Sequence, residues 1–391
     1  MPNFKLTTAA LLLAASTAFS PAAATAGEAQ IKDGNFVVGN GDQAKAVFPF
    51  GYWINVQNDY YEGFDLLKKG GFNTAIIKPQ YVDRETWPPV LDDAAEKGIM
   101  VWGMIDTLHP PYHLQYQARL EQAKDHPAYF ASISIDDSHN FMPEVIATDS
   151  VERVKEIDDT HPILQSMAAH WQEDPELKNY VEAIEGTGLQ TYAIEWQGID
   201  HIYDDQKELS ELSGDTYFPY AILQTFNWGV QGEKDYHLGR RWPTAAETDL
   251  ATWLSVAAGV KGVIYYSLDE RLDFTTPKGW LTDEHPDLFD ATVRAWKEIE
   301  PIQDFMLHGE LETARILDTV YHAHWTLDGE RVHVFINTHP NTPRTVKVDA
   351  DGMKSLKSIG VDRGSSFEVS DDGRIIGEIG PESVQLFRGK I

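Results

Sequence analysis

Between residues 47 and 266 the apolar residues gather into eight short runs: Val47–Asn55, Thr74–Lys78, Ile99–Ile105, Phe130–Ile135, Ile163–Met167, Gly188–Ile194, Tyr220–Phe226 and Val260–Tyr266. The runs are nearly continuous rather than alternating. That is the pattern of strands covered on both faces, as in a parallel sheet wrapped by helices. Their starts lie about 25–40 residues apart, room for a strand, a helix and two loops. The gaps carry helical periodicity. Tyr61–Lys69 stops at Gly70-Gly71, a C-cap signal. Pro89–Lys97 sets Leu91, Ala94 and Ala95 on one face and ends at Gly98. Ser150–Asp159 opens on a capping residue and carries Val151, Val154 and Ile157. Thr244 and Glu247 form a capping box for a helix reaching Ala258, and Asp287–Ile299 supplies the last helix. Trp253 and Trp296 fall on the apolar faces of these two helices.

Eight strand–helix units over about 250 residues predict an α/β fold, a (β/α)8 TIM barrel. The alternative is a doubly wound open sheet with a nucleotide site. It needs a glycine-rich turn after a strand, and neither G-x-G-x-x-G nor a Walker A motif occurs. After residue 306 the texture changes to short alternating segments: Ala314–Tyr321, His324–Leu327, Arg331–Asn337, Arg344–Val348, Ser366–Val369 and Ser383–Arg388. Asp328-Gly329 and Asp372-Gly373 supply hairpin turns between them. The expected organisation is a barrel over 27–305 and a small antiparallel β-sandwich over 306–391, packed closely because no low-complexity linker separates them.

Met1–Ala26 has a different character. One Lys precedes the apolar stretch Leu6–Phe19, and Ala24-Thr25-Ala26 is an A-x-A cleavage site. This is the pattern of a secretory signal peptide, shorter than a membrane span, so export to the periplasm or the medium without membrane insertion is expected. With 32 Lys and Arg against 61 Asp and Glu, the net charge is -29, which argues against nucleic acid as a partner. The absence of cysteine removes disulfides, thiolate metal sites and a Cys nucleophile.

In a barrel, chemistry belongs at the C-terminal ends of the strands. In chain order those ends bring Trp53 and Asn55, Lys78, Asp106, Asp136, Asp137 and His139, His170, Tyr192 and Glu195, Gln224 and Trp228, and Tyr266, Asp269 and Glu270. Carboxylates and aromatic rings recur at one level. Sugar rings stack their CH faces on Trp and Tyr, their hydroxyls bond amides, acids and imidazoles, and glycosidic cleavage needs two carboxyl groups flanking the bond. No cofactor and no catalytic metal is expected. His109 and His113 are separated by Pro110-Pro111, which breaks the single-helix H-E-x-x-H geometry, and His322 and His324 share a strand face far along the chain. A Ser nucleophile lacks its G-x-S-x-G elbow.

The segments FPFGYW (48–53), GFNTAIIKP (71–79), HPAYFASISIDDS (126–138), YAILQTFNWG (220–229) and PTAAETDLATWLSVAAGVKGVIYYS (243–267) resemble the barrel glycoside hydrolases of clan A, as does the trailing β-domain. The resemblance implies a barrel glycosidase with its acid at the end of the fourth strand, where relatives carry Asp-Glu or Asn-Glu. Asp136-Asp137-Ser138 occupies that place, so Asp137 takes the acid role. Such enzymes also carry a nucleophilic Glu at the end of the seventh strand. Here the segment reads Gln224-Thr225-Phe226-Asn227, and the opposing carboxylate is left open among Glu195, Asp269 and Glu270. Asp136, His139, Gln224 and Tyr192 would orient the sugar, with Trp53, Trp171, Trp196 and Trp228 as stacking faces. Two other readings stand beside it: a polysaccharide lyase neutralising a uronate with Lys78 or Arg271, and a barrel that binds glycans without cleaving them. In the C-terminal domain the sparse exposed aromatics, mainly Trp325, favour a structural role over a carbohydrate-binding one.

Overall fold

The computed structural model describes residues 28–55, 59–104, 110–136, 144–168, 184–194, 197–227, 241–273, 276–360 and 367–391, without the side chains of 110–113, 134–136, 144–148, 270–273 and 276–278. Eight parallel strands close into a barrel: β4 (Phe50–Trp53), β5 (Thr74–Ile77), β6 (Met100–Met104), β7 (Tyr129–Asp136), β8 (Ile163–Ala168), β9 (Gly186–Thr191), β10 (Phe218–Gln224) and β11 (Val263–Tyr266). They follow chain order around the barrel, and Val263 of β11 pairs with Phe50 of β4 to close it. Each predicted run overlaps one of these strands; β7, β8, β9 and β10 extend one or two residues beyond their runs.

Successive side chains point to opposite faces of a strand. Trp53, Ile76, Trp102, Met104, Ile133, Leu164, Phe218, Tyr220, Ile222 and Ile264 fill the interior. Phe50, Tyr52, Ala75, Ile77, Val101, Ala221, Leu223, Val263 and Tyr265 face the helices. Both faces are dry, which explains the unbroken apolar runs. Gly188 makes room for the Tyr220 ring inside the barrel, since a Cβ there would lie 2.2 Å from it.

Helices Tyr60–Gly70, Trp87–Lys97, Pro110–Ala123, Glu144–Ile157, Asp200–Ser213, Ala245–Ala257 and Pro286–Ile299 wrap the sheet. The first two end on Gly71 (φ 80°) and Gly98 (φ 73°), left-handed positions that suit glycine. The predicted start at Ser150 is corrected: the helix begins at Glu144, and Ser150 is buried within it. Trp253 and Trp296 are buried as expected.

The first run, expected as one strand from Val47, is also corrected. Val47 ends β3 (Lys45–Val47) of an antiparallel sheet with β1 (Ala29–Lys32) and β2 (Asn35–Val38). This sheet plugs the N-terminal end of the barrel. Phe36 enters between Trp102 and Phe218, at ring distances of 5.2 and 5.6 Å. The turn at Asp33-Gly34 is held by Lys261, whose Nζ donates to the Asp33 carbonyl at 3.2 Å.

β12 (Asp269–Asp273) and β13 (Thr276–Trp280) form a hairpin after the last barrel strand. The C-terminal domain has two antiparallel sheets. In the first, β14 (Glu310–Leu317), β15 (Val320–Leu327), β16 (Glu330–Asn337), β21 (Ser383–Lys390) and β18 (Lys357–Ser358) run in that order. In the second, β20 (Arg374–Ile379) lies between β17 (Arg344–Asp349) and β19 (Phe367–Val369). The predicted strand Ala314–Tyr321 is split by a turn at Asp318-Thr319. The hairpin at Asp328-Gly329 forms as expected, both residues having positive φ. One face of the first sheet sends Tyr321, Ala323, Trp325, Val332, Val334 and Ile336 into the core that runs on from the barrel helices. Trp325, expected to be exposed, is 2% exposed because it lies on this face. The seam is polar at one edge: Asp200 accepts from the hydroxyls of Tyr321 at 2.9 Å and Thr338 at 2.7 Å.

Candidate functional site at the barrel mouth

The C-terminal ends of the barrel strands bring some of the sequence-predicted residues together. The segment after β11 is tied to the strand ends on both sides. Leu268 N–H donates to the Trp53 carbonyl at 3.0 Å, and Thr225 N–H donates to the Tyr266 carbonyl at 2.8 Å. The Asp269 carboxylate, 1% exposed, accepts the Asn55 N–H at 2.9 Å. A buried carboxylate needs such donors, because desolvation penalises its charge unless hydrogen bonds compensate. Asp269 and Asn55 therefore clamp the first and last barrel strands at their exits. The Tyr266–Ser267 peptide within this clamp is cis.

Four rings cluster at the mouth. Tyr192, Phe226 and Tyr266 meet pairwise at 5.0, 5.5 and 6.0 Å, the two contacts to Phe226 being edge-on. Trp53 meets Tyr266 edge-on at 5.0 Å, and the Lys78 ammonium lies 5.7 Å from the Trp53 ring centre. Tyr192 and Tyr266 are half-buried, whereas Trp53 is 1% exposed. Trp53, expected as a stacking face, is thus a floor beneath Tyr266. Its inward register on β4 puts it among the interior rings.

Gln224 is also spent locally. Its side-chain carbonyl accepts the Ile194 N–H at 3.2 Å, and its amide donates to the Phe226 carbonyl at 3.0 Å. It pins two mouth segments, and sugar recognition is not needed to explain it. Just below, Gln190 donates to Ser166 at 2.6 Å, bridging β9 and β8 inside the barrel. The sequence reading passed over this pair, although Gln190 interrupts an apolar run and Ser166 another. Phe226 was missed as a mouth ring for the opposite reason: it reads as strand core.

Asp136 is the last residue of β7, in register with Ser166, and Glu270 lies on β12; the side chains of both are outside the description. Asp106, Asp137, His139, His170, Trp171, Glu195, Trp196 and Trp228 lie outside the described residues, as does Met1–Ala26. Among the described residues, no three His, Asp or Glu side chains at the mouth have metal-ligand spacing.

Arg241 precedes the helix Ala245–Ala257 that follows β10. Both guanidinium NH2 groups of Arg241 bond Glu247 at 2.6 Å. Thr244 caps the following helix, accepting from Glu247 N–H at 3.1 Å while Glu247 accepts from Thr244 N–H at 2.8 Å. Burial pulls the Glu247 carboxyl up, but the Arg241 and Thr244 bonds outweigh it and hold it below the usual range.

No protein-family profile and no curated protein matches the sequence. Solved structures do match the fold. A glycoside hydrolase family 5 protein from Bacteroides vulgatus superposes with a TM-score of 0.62 at 10% identity, over 93% of this chain and 93% of that one. The alpha-amylase of Geobacillus thermoleovorans, solved with acarbose, gives 0.59 at 12% identity, over 88% and 98%. A family 27 β-L-arabinopyranosidase from Geobacillus stearothermophilus gives 0.58 at 12%, over 88% and 96%. The chain therefore has the fold of (β/α)8-barrel proteins that carry a C-terminal antiparallel sheet domain.

Proposed function

We propose that this protein is an exported glycoside hydrolase that cleaves a poly- or oligosaccharide with a pair of carboxyl groups. The observation that carries the reading is the barrel mouth, where β7 ends on Asp136, the residue before Asp137 in the sequence, and the half-buried rings of Tyr192 and Tyr266 share the strand exits with the buried Asp269. Glycosidase names among structures of the same fold, one of them solved with acarbose, support it. In this reading Asp137 protonates the leaving oxygen. Glu195 is the first choice for the opposing carboxylate, because Asp269 already holds the Asn55 N–H and acts as a positioning group. Glu270 is the next choice. Carboxyl groups about 5 Å apart would retain the anomeric configuration, and a gap of about 6.5–9.5 Å would invert it. Tyr192 and Tyr266 supply the apolar face for a sugar ring, and Met1–Ala26 directs export.

A second reading, a barrel that binds glycans without cleaving them, is favoured by one observation: β10 ends on Gln224, whose amide is taken up by backbone. The deciding experiment incubates the mature protein and its Asp137→Asn variant with a panel of neutral and acidic polysaccharides and counts new reducing ends. Cleavage lost in the variant, by about 100-fold or more, is the expected outcome for a general acid. Cleavage that survives moves the acid elsewhere. Binding with no new ends selects the second reading, and unsaturated products absorbing near 235 nm would mean a lyase.

A further inference from the structure

The C-terminal sheet holds a histidine cluster that the barrel chemistry does not use. His322 and His324 are two residues apart on β15, so they share a face. His333 on β16 lies opposite His324 in register, and Glu312 on β14 lies opposite His324 on the other side. Three adjacent strands thus bring three imidazoles and a carboxylate to one spot. The ring centres form a near-equilateral triangle with sides of 5.5, 5.2 and 5.2 Å. One ring nitrogen from each lies within 4.8 Å of the others. The Glu312 carboxylate is 3.6 Å from His324 Nε2.

This triangle matches tetrahedral coordination. A zinc ion about 2.0–2.1 Å from each nitrogen puts the ring centres about 3.2 Å from the metal and about 5.2 Å from each other. The 2.9 Å contact between His322 Nε2 and His333 Nδ1 would open by a few tenths of an ångström to the coordinated spacing of about 3.3 Å. The hydrogen bonding also points to an absent partner. Both ring nitrogens of His324 and Nε2 of His333 are buried without a hydrogen-bond partner. An ion takes one nitrogen from each ring, so with His333 bound through Nδ1 it satisfies one of these three atoms, a nitrogen of His324 that otherwise has no partner. Burial, aided by neighbouring His and Arg charges, lowers both His333 and His322 below the usual imidazole range. Arg331, on the same face beyond His324, is paired to Asp351 at 2.8 Å. Glu312 is largely exposed and leaves a route for an ion from solvent.

We propose that His322, His324 and His333 bind one divalent transition-metal ion of the zinc type, with Glu312 as the fourth ligand. The ion ties β14, β15 and β16 together and stabilises the C-terminal domain. It is separate from the barrel mouth, and the proposal does not depend on what the barrel does.

The test uses the full chain without a polyhistidine tag, stripped with chelator and dialysed against Zn2+ or Co2+. One equivalent of Zn2+ held through dialysis, a rise in melting temperature, and Co2+ absorption bands of a four-coordinate site are expected. Glu312→Gln should weaken binding by roughly 10-fold, and His324→Gln or His333→Gln by roughly 100-fold or more. Should those two variants misfold, long-range 1H–15N spectra of the wild-type imidazoles decide the matter without them. The three histidines must shift together at one equivalent. Metal uptake no greater than the weak background of an acidic surface, or one equivalent bound without perturbing these rings, would overturn the proposal.

Discussion

The two ends of the barrel solve opposite problems. The N-terminal end is sealed by Phe36, which sits at 0% exposure among Trp102 and Phe218 under its own three-stranded sheet. The mouth keeps half-buried rings at Tyr192 and Tyr266 and buries polar side chains, Asp269 and Gln224, which bond the backbone of the strand exits. One end gains stability from packed aromatic area. The other fixes the places where strands leave the barrel, which is what a site built from several loops requires.

The sharpest way to break this contrast is to unplug the sealed end. Phe36→Ala removes a fully buried ring and leaves a cavity beside two others, and should cost about 3–5 kcal/mol in urea unfolding. Any activity per folded molecule should survive. A cost below about 1 kcal/mol would mean that the plug is an ornament and not a seal.

The same end carries a pH-dependent lock. Asp158 follows the helix Glu144–Ile157 and precedes β8; its carboxylate meets His161 Nδ1 at 2.7 Å and accepts from Thr160 N–H and Oγ1 at 3.0 and 2.8 Å. Burial alone would raise this carboxyl, but the His161 bond and charge, with the Thr160 bonds, hold it below its usual range. The unfolded value is about 3.9, so the stabilisation is complete above about pH 4 and disappears as pH falls through the lower folded value. Asp158→Asn should cost about 1.5–3 kcal/mol at pH 7 and flatten the acid limb of the stability curve. An unchanged acid limb would place the acid sensitivity elsewhere.

At the mouth, Gln224→Ala leaves the Ile194 N–H and the Phe226 carbonyl without their amide partner, at a cost of about 1–3 kcal/mol. Because it pins two mouth segments, carbohydrate cleavage or binding should fall by more than the loss of folded protein accounts for. Loss of stability with function intact would reduce Gln224 to scaffolding.

Much of this contrast was legible in the chain. The unbroken runs announced strands dry on both faces, and each of the eight barrel strands overlaps one of them. The plug was hidden because Val47 and Phe50 read as one apolar run, although a change of sheet falls between them at Phe48-Pro49. β20 was missed because Gly377 interrupts its pattern; the glycine is there because the Phe367 ring would lie 2.4 Å from a Cβ. At the mouth, sequence position identified which residues leave the strands but not which way they turn. Trp53 and Trp325 look alike to a reader seeking stacking faces, yet register buries both. The histidine triangle was half visible, as His322 and His324 two apart; His333 joins them only through strand pairing.

The smallest predicted effect tests whether the mouth depends on its helix starts. Thr244 accepts from Glu247 N–H, and that bond satisfies one of the orphan donors of the helix Ala245–Ala257. Thr244→Ala should cost about 1 kcal/mol, because the Arg241–Glu247 pair and the thoroughly buried helix remain, and Thr244→Ser should restore most of it. The readout that matters is whether urea midpoint and function move together. A small stability loss with unchanged function means that the mouth does not depend on this cap. A disproportionate loss of function would extend the mouth's fixed frame from the strand exits of β4, β10 and β11 to the cap of this helix.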